Sequence, residues 1–181
     1  LHSTGDGTWT AQTNPISGTE NANLYTVWGS SASDIYAVGS HIIDSSDGII
    51  LHSTGYGTWT AQTASGGTFF NGVSGNSDGS AVYIAGLSGI TASDGDGSWS
   101  SSDTSAQYQD VWVSAGGGAY AVGGSIEFTP SYGTIAHTAG DGTWALVEES
   151  AITSALLGVW GASDSDIYAV GYSGAILHYE P

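Results

Sequence analysis

The stretch LYTVWGSSASDIYAVGSHIIDSSDGIILHSTGYGTWTAQT at 24–63 decides the fold. It divides into LYTVWGSS (24–31), DIYAVGS (34–40), GIILHST (48–54) and GTWTAQT (57–63), short runs rich in Val, Ile, Tyr, Trp and Thr and bounded by Gly, Ser and Asp. Each run reads as a strand, and the tight glycine-containing links read as antiparallel turns. No segment offers an apolar stripe at helical spacing. Neighbouring residues of a strand point to opposite faces, so Val27 and Trp28 make both faces of this four-stranded meander apolar. Such a sheet has to be covered on both sides.

The rest of the chain supplies the cover, because it repeats the same unit. LHSTGDGTWTAQT (1–13) returns as LHSTGYGTWTAQT (51–63), and in altered form as ITASDGDGSWSSS (90–102) and IAHTAGDGTWALV (135–147). VWGSSASDIYAVG (27–39) returns as VWGASDSDIYAVG (159–171), with looser relatives at 73–86 and 111–123. A period of about 40–50 residues marks a repeat architecture. Four-stranded sheets stacked radially on copies of themselves form a β-propeller; a β-solenoid, with shorter coils and parallel pairing, is the weaker alternative.

The expected organisation is all-β, a single propeller domain over 1–181. Its units lie at approximately 24–63, 69–103, 108–147 and 155–181 plus 7–13, with the first strand of each unit innermost. The last unit lacks a fourth strand, and the chain begins with one, so residues 7–13 are expected to complete the sheet of 155–181 and close about four blades. The motif LHST (1–4) duplicates the third strand already present at 176–181. Two other arrangements therefore stay open: a segment of a larger propeller, and ends that pair between molecules. The chain begins inside a repeat, so a processed piece or the visible part of something longer is expected.

The turns STGDGTW (3–9), SDGDGSW (93–99) and TAGDGTW (138–144) resemble the Asp-box, the sialidase-type repeat S-x-D-x-G-x-T-W found at this turn of propeller blades. The spacing is a residue tighter, and Tyr56 replaces the Asp in the second copy. With the VWG…DIYAVG phrase, the unit is similar to repeat propellers of secreted and surface bacterial proteins. The resemblance implies fold more than function. Asp6, Asp96 and Asp141 are expected to clasp their turns by accepting backbone N–H groups, and Trp9, Trp59, Trp99 and Trp144 to pack over the hairpin ends.

Composition excludes several functions. The chain has no Lys or Arg, 17 Asp plus Glu and a formal charge of −17. It cannot form a basic patch for nucleic acid or a polybasic anchor for anionic lipid. It offers no Lys for a Schiff base and no arginine cluster of the sialidase kind. Cysteine is absent, which excludes disulfides and thiolate sites, and no stretch approaches a membrane span. The five Glu (Glu20, Glu127, Glu148, Glu149, Glu180) form no distinctive acid pair, and no nucleophile elbow is present.

The expected protein is therefore non-enzymatic: a structural or assembly propeller of an extracellular surface or fibre, working by self-association or with other surface proteins. The alternative is a lectin-like module that binds glycans or protein, and a glycoside hydrolase ranks below both. Abundant Ser and Thr suit O-glycosylation. His2, His52, His137 and His178 share one repeat position and are expected to make a repeated structural hydrogen bond. Calcium is the one cofactor weighed, with Asp44 and Asp47 in the loop 41–48 and Asp164 and Asp166 in a turn as the candidate oxygen ligands.

Overall fold

A computed structural model describes residues 2–3, 5–16, 21–41, 47–64, 66–103, 106–125, 132–147 and 152–180. Its strands are β1 (Ala22–Ser31), β2 (Asp34–His41), β3 (Gly48–Ser53), β4 (Trp59–Gln62), β5 (Phe70–Gly75), β6 (Val82–Gly86), β7 (Gly89–Ser93) and β8 (Ser100–Asp103). They continue with β9 (Tyr108–Val113), β10 (Ala119–Ser125), β11 (Tyr132–Thr138), β12 (Ala145–Leu146), β13 (Leu156–Ser163), β14 (Asp166–Gly171) and β15 (Ile176–Tyr179). All pair antiparallel in chain order: three sheets of four strands, β1–β4, β5–β8 and β9–β12, and a last sheet of three, β13–β15.

The sheets stack as propeller blades. Packing between them is concentrated on the first two strands, with β1 and β2 against β5, β5 and β6 against β9, and β9 and β10 against β13. The first strand of each sheet is therefore the inner one. Double-sided cover explains the near-continuous burial of β6 and β10 and of most of β2. Strand β14 carries the same DIYAVG sequence as β2 yet alternates between buried and exposed. Among the described residues one of its faces has no neighbouring sheet.

The structure also gives the stack a direction. Val73, Val111 and Val159 pack against the preceding sheet, and Trp28, Ser74 and Trp112 meet the following one; Val27 and Trp160 hold the same strand positions at the two ends of the stack. Val111 is 3 % exposed and Val27 65 %, because no described sheet covers the front of the first one and the N-terminal segment there leaves Val27 open. Trp28 and Trp112 each lie on a glycine of the next blade. A Cβ built on Gly75 would be 2.5 Å from the Trp28 ring, and one on Gly161 would be 2.8 Å from Trp112. Gly75 and Gly161 are thus the flat floors on which the indoles rest.

The N-terminal segment corrects the expected closure within the chain. Residues 7–13 do not pair with β15. Thr10 instead forms a two-bond bridge with His2, with N–H to O distances of 2.9 and 2.8 Å. Gln12 accepts a hydrogen bond of 2.6 Å from the Trp59 indole. The physical reason is that His2 already pairs with Thr10, while the Trp59 bond to Gln12 holds this segment in front of the first sheet. The last sheet stays three-stranded among the described residues.

Candidate functional site

Each boundary between complete blades is locked by the same aromatic device. Trp99 of the second sheet reaches back to Tyr36 of the first, edge to face, with ring centroids 5.7 Å apart. Trp144 of the third sheet does the same to Tyr83 of the second at 5.4 Å. Each indole N–H donates to the residue three past the tryptophan of the blade before: Trp99 to Gln62 at 2.7 Å and Trp144 to Ser102 at 3.0 Å. The sequence reading had these tryptophans covering their own hairpins; they span blade boundaries instead. The registers of GTWTAQT and GSWSSS already paired the two positions, but only stacking shows that they meet.

The third boundary lacks its tryptophan. Tyr120 is the equivalent of Tyr36 and Tyr83, and beside it lies an apolar cleft of about 490 Å³ between the third and fourth sheets. Val122, Ile135, His137 and Val147 line it from one side, Val159, Leu177 and Tyr179 from the other. Tyr179 leans toward Tyr120 at 6.1 Å across the mouth, and His137 lies against the Tyr120 ring at 4.4 Å. Burial first, then the neighbouring Tyr179 and Asp164, raise the Tyr120 hydroxyl above its ordinary range. That hydroxyl is thus a neutral hydrogen-bonding group at neutral pH. Beside the cleft, β15 is a sheet edge with open backbone groups, which can accept an added strand.

A partly buried carboxylate ties the two sides of the same boundary together. Asp110 on β9 accepts the Val159 N–H of β13 at 3.0 Å through one oxygen and its neighbour Val111 N–H at 2.9 Å through the other. Burial raises its pKa, and the two N–H bonds act in the opposite direction. Neither the repeat pattern nor spacing marked Asp110.

The histidines are structural partners in the blades that keep the Asp. His52 bonds Asp34 at 2.8 Å and stacks on Tyr36; His178 bonds Asp166 at 2.7 Å and stacks on Tyr168. Ser30 donates to the other oxygen of Asp34, so serine and histidine both bond the carboxylate and the serine is not aligned on the imidazole. Burial, then the charge of Asp34, pushes the Tyr36 hydroxyl up to about 12.

Three of the four candidate cation ligands, Asp47 of one loop and Asp164 and Asp166 of one turn, lie within the described residues. Asp44 lies outside the described residues. The Asp47 carbonyl accepts the His41 N–H at 3.1 Å at the start of β3. The Asp164 carboxylate hangs beside Gly118 of the third sheet, and Asp166 is engaged by His178. Among the described residues no group of three or more His, Asp or Glu could hold a metal ion. The turn aspartates behave as clasps: Asp6, Asp96 and Asp141 accept the N–H two residues on at 2.8, 2.7 and 2.9 Å.

No family model matches the chain, and no curated protein does. Solved structures do. YCF48 bound to D1 peptide superposes with a TM-score of 0.61 at 15% identity, over 97% of this chain and 55% of that one. The WD40 β-propeller domain of Doa1 gives a TM-score of 0.45 at 10% identity, over 88% and 66%. The chain thus spans about half of the first structure it matches, and the likeness is one of propeller fold.

Proposed function

We propose that this chain is a non-enzymatic assembly module that binds polypeptide, and that its binding site is the cleft at Tyr120 with the adjoining edge of β15. The vacant third boundary carries the reading: two boundaries are filled by a tryptophan that immediately precedes an outer strand, while the third presents the same tyrosine beside an unfilled apolar cleft. A guest that adds an extended strand to β15 and lays an aromatic side chain beside Tyr120 would reproduce what the chain does to itself at the other two. Main-chain bonds to the edge would give affinity, and the cleft would select the side chain. The similar propeller YCF48, bound to a peptide, supports a polypeptide guest.

The remainder of the reading rests on composition and local geometry. Placement on an extracellular surface or fibre is supported by the absence of Lys and Arg, and kinship with Asp-box propellers by the aspartate-clasped turns. An array of seven-residue peptides and a glycan array, probed with the same labelled chain, test the proposal. Saturable binding to aromatic-containing peptides, lost in Tyr120→Ala, is expected. Binding to glycans alone would mean that the site has been misread.

A further inference from the structure

The two ends of the stack are complementary. At the trailing end, Trp160 is 60 % exposed and, among the described residues, has no glycine to rest on, unlike Trp28 and Trp112. At the leading end, Gly29 holds the position of Gly75 and Gly161, and the three atoms nearest a Cβ placed there all belong to Asp34 and Ile35 of its own sheet. One end has the indole without its floor; the other has the floor without its indole.

The strands match in the same way. Edge strand β15 lacks the partner that β3 finds in β4, and residues 7–13 repeat the β4 sequence GTWTAQT. Carrying over the register Leu51↔Ala61, His52↔Thr60, Ser53↔Trp59 sets Leu177 opposite Ala11, His178 opposite Thr10 and Tyr179 opposite Trp9. Trp9, 66 % exposed, would then enter the cleft at Tyr120, as Trp99 meets Tyr36. Within one chain this is blocked, since Trp59 holds Gln12 at the leading face while β15 lies three blade boundaries away.

Building on the proposed function, we infer that the occupant of the Tyr120 cleft is a second copy of this chain, which contributes residues 7–13 as the missing outer strand of the last sheet. The His2–Thr10 bridge opens and β15 takes the place of the His2 segment. The bond from Trp59 to Gln12 then becomes the boundary contact between the completed last blade of one copy and the first blade of the other. The junction is head-to-tail, so it propagates or closes a ring. Residues 7–13 carry no charge, which keeps like charges out of the added strand. Tyr179 swings aside for Trp9. Position 147, which should accept the indole N–H by analogy with Gln62 and Ser102, is Val, so the junction lacks that one bond.

The experiment is sedimentation of the full chain over a wide concentration range in about 0.5 M NaCl, where like-charge repulsion is screened within a few ångströms. Association to a dimer or beyond is expected for the wild type. Trp9→Ala and Tyr120→Ala should each be monomeric. Mixed together they should form a 1:1 dimer, because one retains the cleft and the other the strand. Val147→Gln should tighten wild-type association about fivefold by supplying the acceptor. A monomeric wild type, or two variants that fail to complement although circular dichroism shows both folded, overturns the proposal. If the chain stays monomeric while aromatic peptides still bind in a Tyr120-dependent way, the second-copy inference falls and the polypeptide-binding reading stands.

Discussion

Replacing Trp99 by Ala should destabilise the chain by about 4 kcal/mol, whereas Trp9→Ala should cost about 1 kcal/mol. The two tryptophans occupy the same repeat position, so the contrast isolates stacking. Trp99 is 8 % exposed and Trp9 66 %. A tryptophan buries about 150–250 Å², worth roughly 4–6 kcal/mol at about 25 cal/mol per Å², an upper bound because the unfolded chain also shields surface. Trp99 further loses its bond to Gln62 and its edge-to-face contact with Tyr36, contributions of about 1 kcal/mol each that overlap with the area term. Urea unfolding, followed by tryptophan fluorescence at concentrations too low for association, provides the assay. With a slope of about 2 kcal/mol per molar urea, the midpoint should fall by about 2 M for Trp99→Ala and about 0.5 M for Trp9→Ala. Equal shifts would refute the idea that these residues lock boundaries between blades.

Three further outcomes are expected. Tyr56, at φ +56°, stands in the place the other turns give to an Asp outside the left-handed region, and the Thr58 N–H bonds the Gly55 carbonyl at 3.3 Å instead of a carboxylate. Tyr56→Asp should let this turn take the clasped form and raise stability by about 0.5–1 kcal/mol, read as a higher melting temperature. Burial raises the folded-state pKa of Asp110, so its charge costs stability at neutral pH and the cost fades as pH falls through that raised value. Asp110→Asn should therefore lose part of the gain on acidification, and a difference from wild type that does not vary with pH would contradict this. Calcium at millimolar concentration should raise the melting temperature no more than sodium chloride of matched ionic strength; a larger rise, lost in Asp164→Asn or Asp166→Asn, would instead assign a cation to that turn.

The blade plan was legible because β-branched and aromatic residues alternate between Gly- and Asp-rich turns, and because the unit recurs. The aspartate clasps were legible too, since they are local: Asp6, Asp96 and Asp141 bond amides two residues away. What could not be read was anything set by which blade stands beside which. Trp99 appeared as a cover for its own hairpin because its partner Tyr36 lies 63 positions earlier. Asp110 looked like one acid among many, although its two amides come from β9 and β13. The closure of 7–13 onto 155–181 followed from strand counting, which showed two candidate third strands, at 1–4 and 176–181, but not that the His2 segment is the one Thr10 pairs with. The cleft at Tyr120 is a site by omission: Tyr36, Tyr83 and Tyr120 repeat, but Trp99 and Trp144 have no third counterpart at that boundary.

The most direct measurement is backbone hydrogen exchange of the full Trp9→Ala chain with and without saturating GTWTAQT peptide. If a strand completes the last sheet, the amides of 176–179 that face the open edge should become protected, together with the Tyr120 cleft, while β1 and its exposed face stay unchanged. Unchanged exchange at β15, or protection confined to the turns, would contradict the central claim that the third boundary is a vacant strand-and-tryptophan site.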